Sequence, residues 1–262
     1  MVAIAEDFAH RLSQAISRSG SQLCLGLDPD ATDAAGAERE CRALLDATLE
    51  FVCAVKPNVA FFEQYGSAGY AVLERLREAV PADRMLIIDA KRGDIGTTAA
   101  AYARALFDVL GADAITVNPV MGADSVAPFL DRPGRGVFLL ARTSNPGATD
   151  FLDFPAEAPL YTRIVDVAAT WNGGSGTIGF VVGATAPHAI AEVRRRAPFA
   201  PLLLPGVGAQ GGSLESAVAT GRDRDGAGFV VPVSRGLSSA PEGPGSAARS
   251  FRDRIAAAVS GY

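Results

Sequence analysis

The chain has 262 residues, 48% of them hydrophobic, and a formal net charge of -5. That length accommodates one large domain or two small ones with a sizeable core, and the modestly acidic charge gives no reason to expect a nucleic acid or an anionic membrane as a partner. No apolar run approaches the roughly 20 residues that a membrane-spanning helix needs, and the amphipathic start of the chain, with charges throughout, lacks the pattern of a signal peptide.

Cysteine usage indicates a reducing compartment. The three cysteines (Cys24, Cys41 and Cys53) form no CxxC pair, and Cys24 and Cys53 lie in apolar, strand-like runs. We therefore expect buried free thiols and a cytoplasmic protein.

Short runs rich in Leu or β-branched residues alternate along the chain with longer segments of helical periodicity. In chain order the predicted strands are QLCLGL (22–27), FVCAVKP (51–57), RMLIIDA (84–90), DAITVN (113–118), GVFLLAR (136–142), TIGFVVGA (177–184), PLLLPGV (201–207) and AGFVVPV (227–233). Apolar spacing of three and four predicts helices around 71–80, 100–110, 160–171 and 188–197. The Pro/Gly/Ser-rich stretch 238–246 is interpreted as the last surface loop.

The predicted strands are almost continuously apolar, which is typical of strands covered on both faces. Eight of them separated by helices predict an α/β fold of the (β/α)8 TIM barrel type, with residues 1–262 as a single domain that begins with a helix. A doubly wound open sheet is the alternative.

In such barrels the active site lies at the carboxyl ends of the strands, so polar residues at those ends are candidate site residues. They are Asp28 after the first strand, Lys56 in the second, Asp89, Lys91 and Asp94 with the third, Asn118 after the fourth, and the segments TSNPG (143–147), PGVGAQGG (205–212) and SRG (234–236).

Lysine is almost absent. Of the 24 basic residues only Lys56 and Lys91 are lysines, and both lie at predicted strand ends. Arginine cannot give up a proton, whereas lysine has a pKa that shifts readily, so a reaction that needs a proton donor or an amine nucleophile must keep lysine. Two ordinary surface lysines are the alternative interpretation.

Asp89 and Lys91 are two residues apart, which on a strand places their side chains on the same side as a charge pair at the mouth of the barrel. Asp94 follows Gly93, where the chain turns, so its direction is not fixed. Asp94 has an alternative role as the N-cap of a helix that begins near Gly96. Arg92 points away from Lys91 and is interpreted as structural or solvated.

The segment 205–212 contains four glycines and Gln210, and Arg235 follows the eighth strand. The loops after strands seven and eight are the usual phosphate site of this barrel, glycines let backbone N–H groups approach a phosphate, and a guanidinium suits its oxygens. We predict a phosphorylated ligand and a loop that closes over it, with ordinary tight turns as the alternative.

The only histidines, His10 and His188, lie in helical or pre-helical segments, so no His-based metal site is predicted. Ser144 has no histidine placed to activate it as a nucleophile. The reaction class that remains is proton transfer by a lysine on a small phosphorylated molecule.

The segments LCLGLDPD, AVKPNVAFFEQYG, DAKRGDIGTT, TSNPGA, PGVGAQGG and SRG occur in this order and together resemble the orotidine 5'-monophosphate decarboxylase family, in its longer bacterial subgroup. The resemblance implies decarboxylation of orotidine 5'-monophosphate to uridine 5'-monophosphate, the final step of de novo pyrimidine nucleotide synthesis. It also implies that no metal and no organic cofactor is used, and that the protein is a homodimer with shared active sites.

Carried over by motif, Lys56, Asp89, Lys91 and Asp94 would form a network of alternating charges, in which Lys91 protonates C6 and Asp94 comes from the neighbouring subunit. The remaining substrate-binding residues implied by the resemblance are Asp28 and Lys56 for the ribose, Ile95 and Thr98 from the partner subunit, Ser144 for the pyrimidine, and Pro205, Gln210, Ser234 and Arg235 at the phosphate end. The stretch VVPVSRG is less polar before its Ser-Arg pair than the family pattern leads us to expect.

Three other functions are compatible with the same residues. The first is a related barrel enzyme that acts on a sugar phosphate, which shares D-x-K-x-x-D but holds magnesium. The second is an aldolase that forms a Schiff base on Lys91 or Lys56. The third is a catalytically inactive protein that only binds the phosphate ligand. Sensitivity to EDTA, or borohydride trapping, would separate the first two from the decarboxylase.

Overall fold

The computed structural model describes residues 7–171 and 176–261, and its eight strands form a closed barrel in chain order, β1 to β8. The strands are β1 Leu23–Leu27, β2 Ala54–Pro57, β3 Met85–Arg92, β4 Ala114–Val117, β5 Gly136–Arg142, β6 Thr177–Val182, β7 Leu202–Leu203 and β8 Phe229–Val233. Each pairs in parallel with the next, and β8 pairs with β1. The predicted TIM barrel is confirmed and the open sheet is wrong.

Helices follow the strands. They are α1 Phe8–Ser19, α2 Ala34–Thr48, α3 Ala60–Glu63, α4 Ser67–Ala79, α5 Gly96–Ala103, α6 Ala123–Leu130, α7 Ala148–Phe151, α8 Leu160–Ala168, α9 Pro187–Arg196, α10 Leu214–Gly221, α11 Arg235–Ser238 and α12 Pro244–Ser260, with a 3-10 turn at Leu49–Phe51 and a π-helical segment at Arg104–Val109. The four helical segments predicted from periodicity all fall on helices. The predicted last loop is shorter than 238–246, because Pro244 already begins α12, at a position where its missing N–H costs no hydrogen bond.

Only the fifth predicted strand, 136–142, has the observed bounds, and the differences that matter most for the site are at β7 and β3. β7 stops at Leu203 rather than at 207, and Pro205 lacks the N–H needed to continue a ladder. β3 runs two residues beyond its predicted end, to Arg92. This extension carries Lys91 on the strand itself.

The core has two parts. The larger lies between the barrel and the surrounding helices, and the smaller fills the barrel interior. Helix α1 covers the amino-terminal end of the barrel, where the ring of Phe8 packs edge-to-face on Phe138 with centroids 5.9 Å apart. This end is closed by side chains, so an open site lies at the opposite end.

Asp113 fastens α1 to the barrel. Its carboxylate is 5% exposed, binds the guanidinium of Arg11 from α1, and accepts the Leu86 N–H at 2.8 Å. All three cysteines are buried and free, as predicted, and burial raises the pKa of the Cys24 thiol to about 12. That thiol therefore stays protonated and behaves as a small apolar side chain.

Candidate active site

A cavity of about 430 Å³ opens at the carboxyl ends of the strands. Nine of the predicted site residues line it: Asp28, Lys56, Asp89, Lys91, Ser144, Pro205, Gln210, Ser234 and Arg235. Asp94, Ile95 and Thr98 do not. The structure therefore brings most of the predicted residues together within one chain and leaves out the three that the resemblance assigns to a partner subunit.

A charge network lies at the centre of this cavity. The Asp89 carboxylate binds Lys56 Nζ through Oδ2 at 2.8 Å and Lys91 Nζ through Oδ1 at 2.5 Å. Lys56 is buried and the Asp89 side chain is only 11% exposed, whereas the Lys91 side chain is 47% exposed and lines the cavity. One carboxylate thus holds two ammonium groups at fixed positions.

The pKa values follow from these contacts. Burial by itself raises the pKa of Asp89, but the charges of Lys56 and Lys91 outweigh it and hold that pKa well below its ordinary value. Burial likewise opposes the charged form of Lys56, yet Asp89 and Asp28 raise its pKa above the ordinary value. Asp89 and Lys56 therefore remain charged throughout the physiological pH range.

The backbone that carries Lys91 is not a regular strand. Pairing of β3 with β4 shifts register between Ile88, opposite Ile115, and Arg92, opposite Val117, so that residues 89–91 face Thr116 alone. Lys91 has φ 47°, in the left-handed region that non-glycine residues rarely occupy. The predicted Asp89–Lys91 pairing is present, but a bulge aims the lysine, and simple strand alternation does not account for it.

Asp94 lies outside the cavity at the turn before α5. Its carboxylate accepts the Ile95 N–H at 2.7 Å, and Ile95, not Asp94, is the N-cap of α5. The N-cap interpretation of Asp94 is therefore wrong. Ile95 is 59% exposed, and Thr98 lies in the first turn of α5.

Arg92 is structural, as predicted. Its guanidinium pairs with Glu63, donates to the Ala90 carbonyl at 3.2 Å, and lies over the Tyr102 ring at 5.2 Å. These contacts turn it away from the cavity.

At the opposite side of the cavity, the loop after β7 approaches the loop after β5. Gly206 has φ 95°, and a Cβ there would lie 2.7 Å from Ser144 Cβ and 3.0 Å from Gln210 Oε1. Only glycine fits this close approach. Arg235, the first residue of α11, is exposed, and its side chain makes no hydrogen bond or ion pair with the rest of the described chain. Its guanidinium is available to an anion in the cavity.

Ser144 is held by its neighbours. Its carbonyl accepts the Thr185 hydroxyl at 3.0 Å. The preceding β5 residue, Arg142, pairs with Asp153 through Nη2 at 2.9 Å and donates to the Thr143 carbonyl at 2.8 Å. These contacts fix the loop that presents Ser144 to the cavity.

Asp28 presents a buried carboxylate oxygen to the same cavity. Its Oδ1 has no hydrogen-bond partner among the described residues. A buried carboxylate oxygen without a donor is costly, so this atom fits a ligand that supplies a hydroxyl or amide proton.

Two polar residues of the cavity, Asn58 and Thr116, were missed from the sequence, whereas Thr143 and Asn145 belong to the candidate segment TSNPG. Thr116 was overlooked because only the polar residue at the end of the fourth strand was considered. That residue, Asn118, is exposed and its side chain accepts the Val120 N–H at 3.1 Å, outside the cavity. A sequence signal existed, because Thr116 is the only polar side chain within β4.

Residues 7–171 and 176–261 contain no group of three or more His, Cys, Asp or Glu placed to hold a metal ion. His188 is exposed and is the second residue of α9, as its position at a predicted helix start indicated. In the same described ranges no helix is long and apolar enough to span a membrane.

A family model described as Orotidine 5'-phosphate decarboxylase / HUMPS family matches residues 21–251. Among curated proteins, the orotidine 5'-phosphate decarboxylase of Thermomicrobium roseum is 47% identical and covers 95% of each chain, and that of Roseiflexus castenholzii is 45% identical and covers 97% of this chain and 98% of its own. The solved structure of Leishmania donovani OMP decarboxylase has a TM-score of 0.90 at 42% identity and covers 97% of this chain and 99% of that chain. In each case the similarity extends over nearly the whole of both proteins.

Proposed function

Because the chain belongs to the orotidine 5'-phosphate decarboxylase / HUMPS family, we propose a mechanism for its reaction in which Lys91 is the proton donor. The chain catalyses the decarboxylation of orotidine 5'-monophosphate to uridine 5'-monophosphate, a reaction of pyrimidine biosynthesis. The observation that carries the proposal is the contact of Lys91 Nζ with Asp89 Oδ1, 2.5 Å, at the open face of the cavity.

The chemistry requires a positive charge beside C6. When the bond between C6 and the carboxylate breaks, CO2 leaves and the electron pair remains on C6, where the ring delocalises it poorly. The Lys91 ammonium stabilises this charge and transfers one Nζ proton to C6, and the neutral amine then regains a proton from solvent. Because Asp89 holds the ammonium in place before the substrate arrives, the stabilisation requires little reorganisation. This electrostatic term contributes to the ~8–23 kcal/mol by which enzymes lower barriers.

The rest of the cavity suits the nucleotide. The unpartnered Asp28 oxygen and the Lys56 ammonium face the ribose hydroxyls, Ser144 faces the pyrimidine, and Gln210 and Arg235 bind the phosphate beside Pro205 and Ser234. The phosphate lies away from the reacting carbon, so its binding energy is available for loop closure and orientation.

The first experiment follows orotidine 5'-monophosphate consumption by ultraviolet absorbance for Lys91→Ala and Lys91→Arg, with and without EDTA. Both variants should be folded and nearly inactive, since arginine cannot release the proton. The unmodified protein should keep its activity in EDTA, as we propose that neither a metal nor an organic cofactor takes part. Near-normal turnover by Lys91→Arg would refute the proton-donor role, and loss of activity in EDTA would favour the magnesium-dependent alternative.

We further propose a homodimer in which Asp94, Ile95 and Thr98 complete the partner's cavity. The support is that these residues follow Lys91 closely in sequence and lie outside the cavity of their own chain. Exposed apolar side chains at the same end of the barrel, Ile95 at 59% and Val120 at 66%, suit a subunit interface.

Mixing inactive variants tests the shared site. Lys91→Ala and Asp94→Ala homodimers should each be nearly inactive, because every site lacks one charge. After subunit exchange, one site of each mixed dimer receives both residues and the other receives neither, so substantial activity should return. Exchange shown by mass spectrometry without recovery of activity would mean that Asp94 acts within its own chain or not at all.

We also propose that residues 1–262 form one domain and that the protein is cytoplasmic, with no nucleic acid or membrane as a partner. The closed barrel between Leu23 and Val233 supports the first statement, and the three free thiols support the second. Cell fractionation with an activity assay tests the location.

A further inference from the structure

We propose that Thr116 is a positioning residue for the reaction, because its single hydroxyl fixes both the backbone of Lys91 and the carboxylate that holds the Lys91 ammonium. This inference rests on the proposal that Lys91 is the proton donor. Thr116 is 1% exposed and lies at the base of the cavity, on the strand opposite the β3 bulge.

The contacts form a closed ring of hydrogen bonds. The Lys91 N–H donates to Thr116 Oγ1 at 2.9 Å, and the Thr116 hydroxyl donates to Asp89 Oδ1 at 3.0 Å. Asp89 Oδ1 in turn accepts Lys91 Nζ at 2.5 Å. The lysine is therefore held at both ends: Thr116 binds its backbone nitrogen directly, and it also binds the carboxylate oxygen that holds the ammonium group.

A hydroxyl is suited to this position because it donates one proton and accepts on its lone pairs. Thr116 uses both capacities, one for Asp89 and one for Lys91. Its β-branched side chain also restricts rotation about χ1, so the oxygen is held in one direction. Valine has the same shape with neither capacity, and serine has both capacities without the second branch.

The backbone of Lys91 explains why such a restraint is needed. Lys91 is the only non-glycine residue with positive φ in residues 7–171 and 176–261. A left-handed lysine is unfavourable by itself and persists only where its surroundings impose it. The bond from the Lys91 N–H to Thr116 is the contact that anchors this conformation. The same hydroxyl binds Oδ1 of the Asp89 carboxylate, whose Oδ2 accepts from Lys56 Nζ.

Loss of the hydroxyl should therefore lower the rate of the chemical step without weakening nucleotide binding. In Thr116→Val the ammonium is still present and still paired with Asp89, but its direction relative to the reacting carbon is no longer fixed. We expect kcat to fall by about tenfold to a hundredfold, the equivalent of one charge-assisted hydrogen bond, while the dissociation constant for uridine 5'-monophosphate stays within about twofold.

The test compares Thr116→Val, Thr116→Ser and a control, Thr48→Val. Thr48 is also fully buried and its hydroxyl donates to the Leu44 carbonyl at 2.7 Å, but it lies in α2, outside the cavity. Steady-state kinetics give kcat and KM, calorimetry gives uridine 5'-monophosphate affinity, and thermal unfolding measures stability. Thr116→Ser should recover most of the rate, and Thr48→Val should lose stability but not kcat.

Several results would overturn the inference: an unchanged kcat in Thr116→Val, an equal loss in Thr116→Ser, an equal loss in Thr48→Val, or a parallel loss of nucleotide affinity. If Thr116→Val does not fold, Thr116→Cys replaces it, since a thiol of similar size is a weak donor and acceptor and should give a lowered kcat.

Lys91→Ala, measured alongside, separates the two proposals. If it is inactive while Thr116→Val turns over normally, only the positioning role fails; if it remains active, the proton-donor proposal fails and the positioning role with it.

Discussion

Replacing Asp89 with asparagine should destabilise the protein as well as inactivate it, because it leaves the Lys56 ammonium buried without its closest counter-charge. The two side chains are 8% and 11% exposed and lie 2.8 Å apart. Breaking a buried ion pair by removing one partner costs about 3–5 kcal/mol. Lys91 adds little, because its side chain is 47% exposed and solvent screens it. Since the Asp28 charge still acts on Lys56, we expect the lower end, about 3 kcal/mol.

Urea unfolding followed by circular dichroism measures this loss. A second variant, Asp89→Asn with Lys56→Met, also removes the unpaired Lys56 ammonium. It should recover at least half of the lost free energy of unfolding, since an apolar replacement for a buried pair is often tolerated. The matched control is Asp253→Asn, which breaks a pair with Arg252 at 2.7 Å in which the Asp253 side chain is 59% exposed and the Arg252 side chain 27% exposed. It should cost no more than about 1 kcal/mol. A double variant no more stable than Asp89→Asn would refute the reasoning.

The pH dependence gives an independent check. Because the pKa of Asp89 is lower in the folded protein than its ordinary value of 3.8, its ionised form stabilises the fold above that value. This contribution is lost as the pH falls from 3.8 towards the folded-state pKa. The difference in unfolding free energy between the unmodified protein and Asp89→Asn should therefore be largest near neutrality and shrink below about pH 4. A difference that grows on acidification would contradict the assigned charge state.

Two further predictions concern opposite ends of the barrel. Arg235→Ala should lower kcat/KM for orotidine 5'-monophosphate by roughly thirtyfold or more, about 2 kcal/mol, and leave the weak activity on phosphate-free orotidine nearly unchanged. Equal losses on both substrates would exclude a phosphate-specific role. Asp113→Asn should lower the free energy of unfolding by about 1–3 kcal/mol with kcat unchanged, because the contacts of this carboxylate with Arg11, Arg135 and the Leu86 N–H all lie at the closed end. The exposed Asp131→Asn should change neither quantity, and a loss of kcat in Asp113→Asn would show that the two ends are coupled.

The barrel was predictable because its strands are unusually uniform in chemistry. A strand buried on both faces needs apolar residues nearly throughout, and the run GVFLLA at 136–141 meets this requirement up to the charged Arg142. Strand ends were less predictable, since they depend on hydrogen-bond pairing with neighbours. β7 ends before Pro205, and β3 runs past the apolar stretch to Arg92 because it pairs there with Val117.

The site was predictable where residue type alone carries the information. Retention of lysine at only two positions pointed to Lys56 and Lys91 without any knowledge of their geometry, and glycine at 206 is required by the close approach of Ser144. Asn118 was a wrong candidate for the opposite reason. Its position at the end of the fourth strand suggested Asn118. Whether a polar side chain enters the cavity depends on strand register, however, and with the bulge in β3 it is Thr116 that lines the cavity.

The same bulge shows why the sequence predicts the identity of the reactive group better than its orientation. Regular alternation would place Asp89 and Lys91 on one side of a strand, so the pattern D-x-K predicted their pairing, although the observed pairing forms across a bulge. The pattern does not predict the left-handed φ of Lys91. That conformation depends on Thr116, 25 positions further along the chain, which accepts the Lys91 N–H. Orientation at this site is a tertiary property that the closed barrel supplies, and for this reason the positioning hydroxyl became visible only once β3 and β4 were paired.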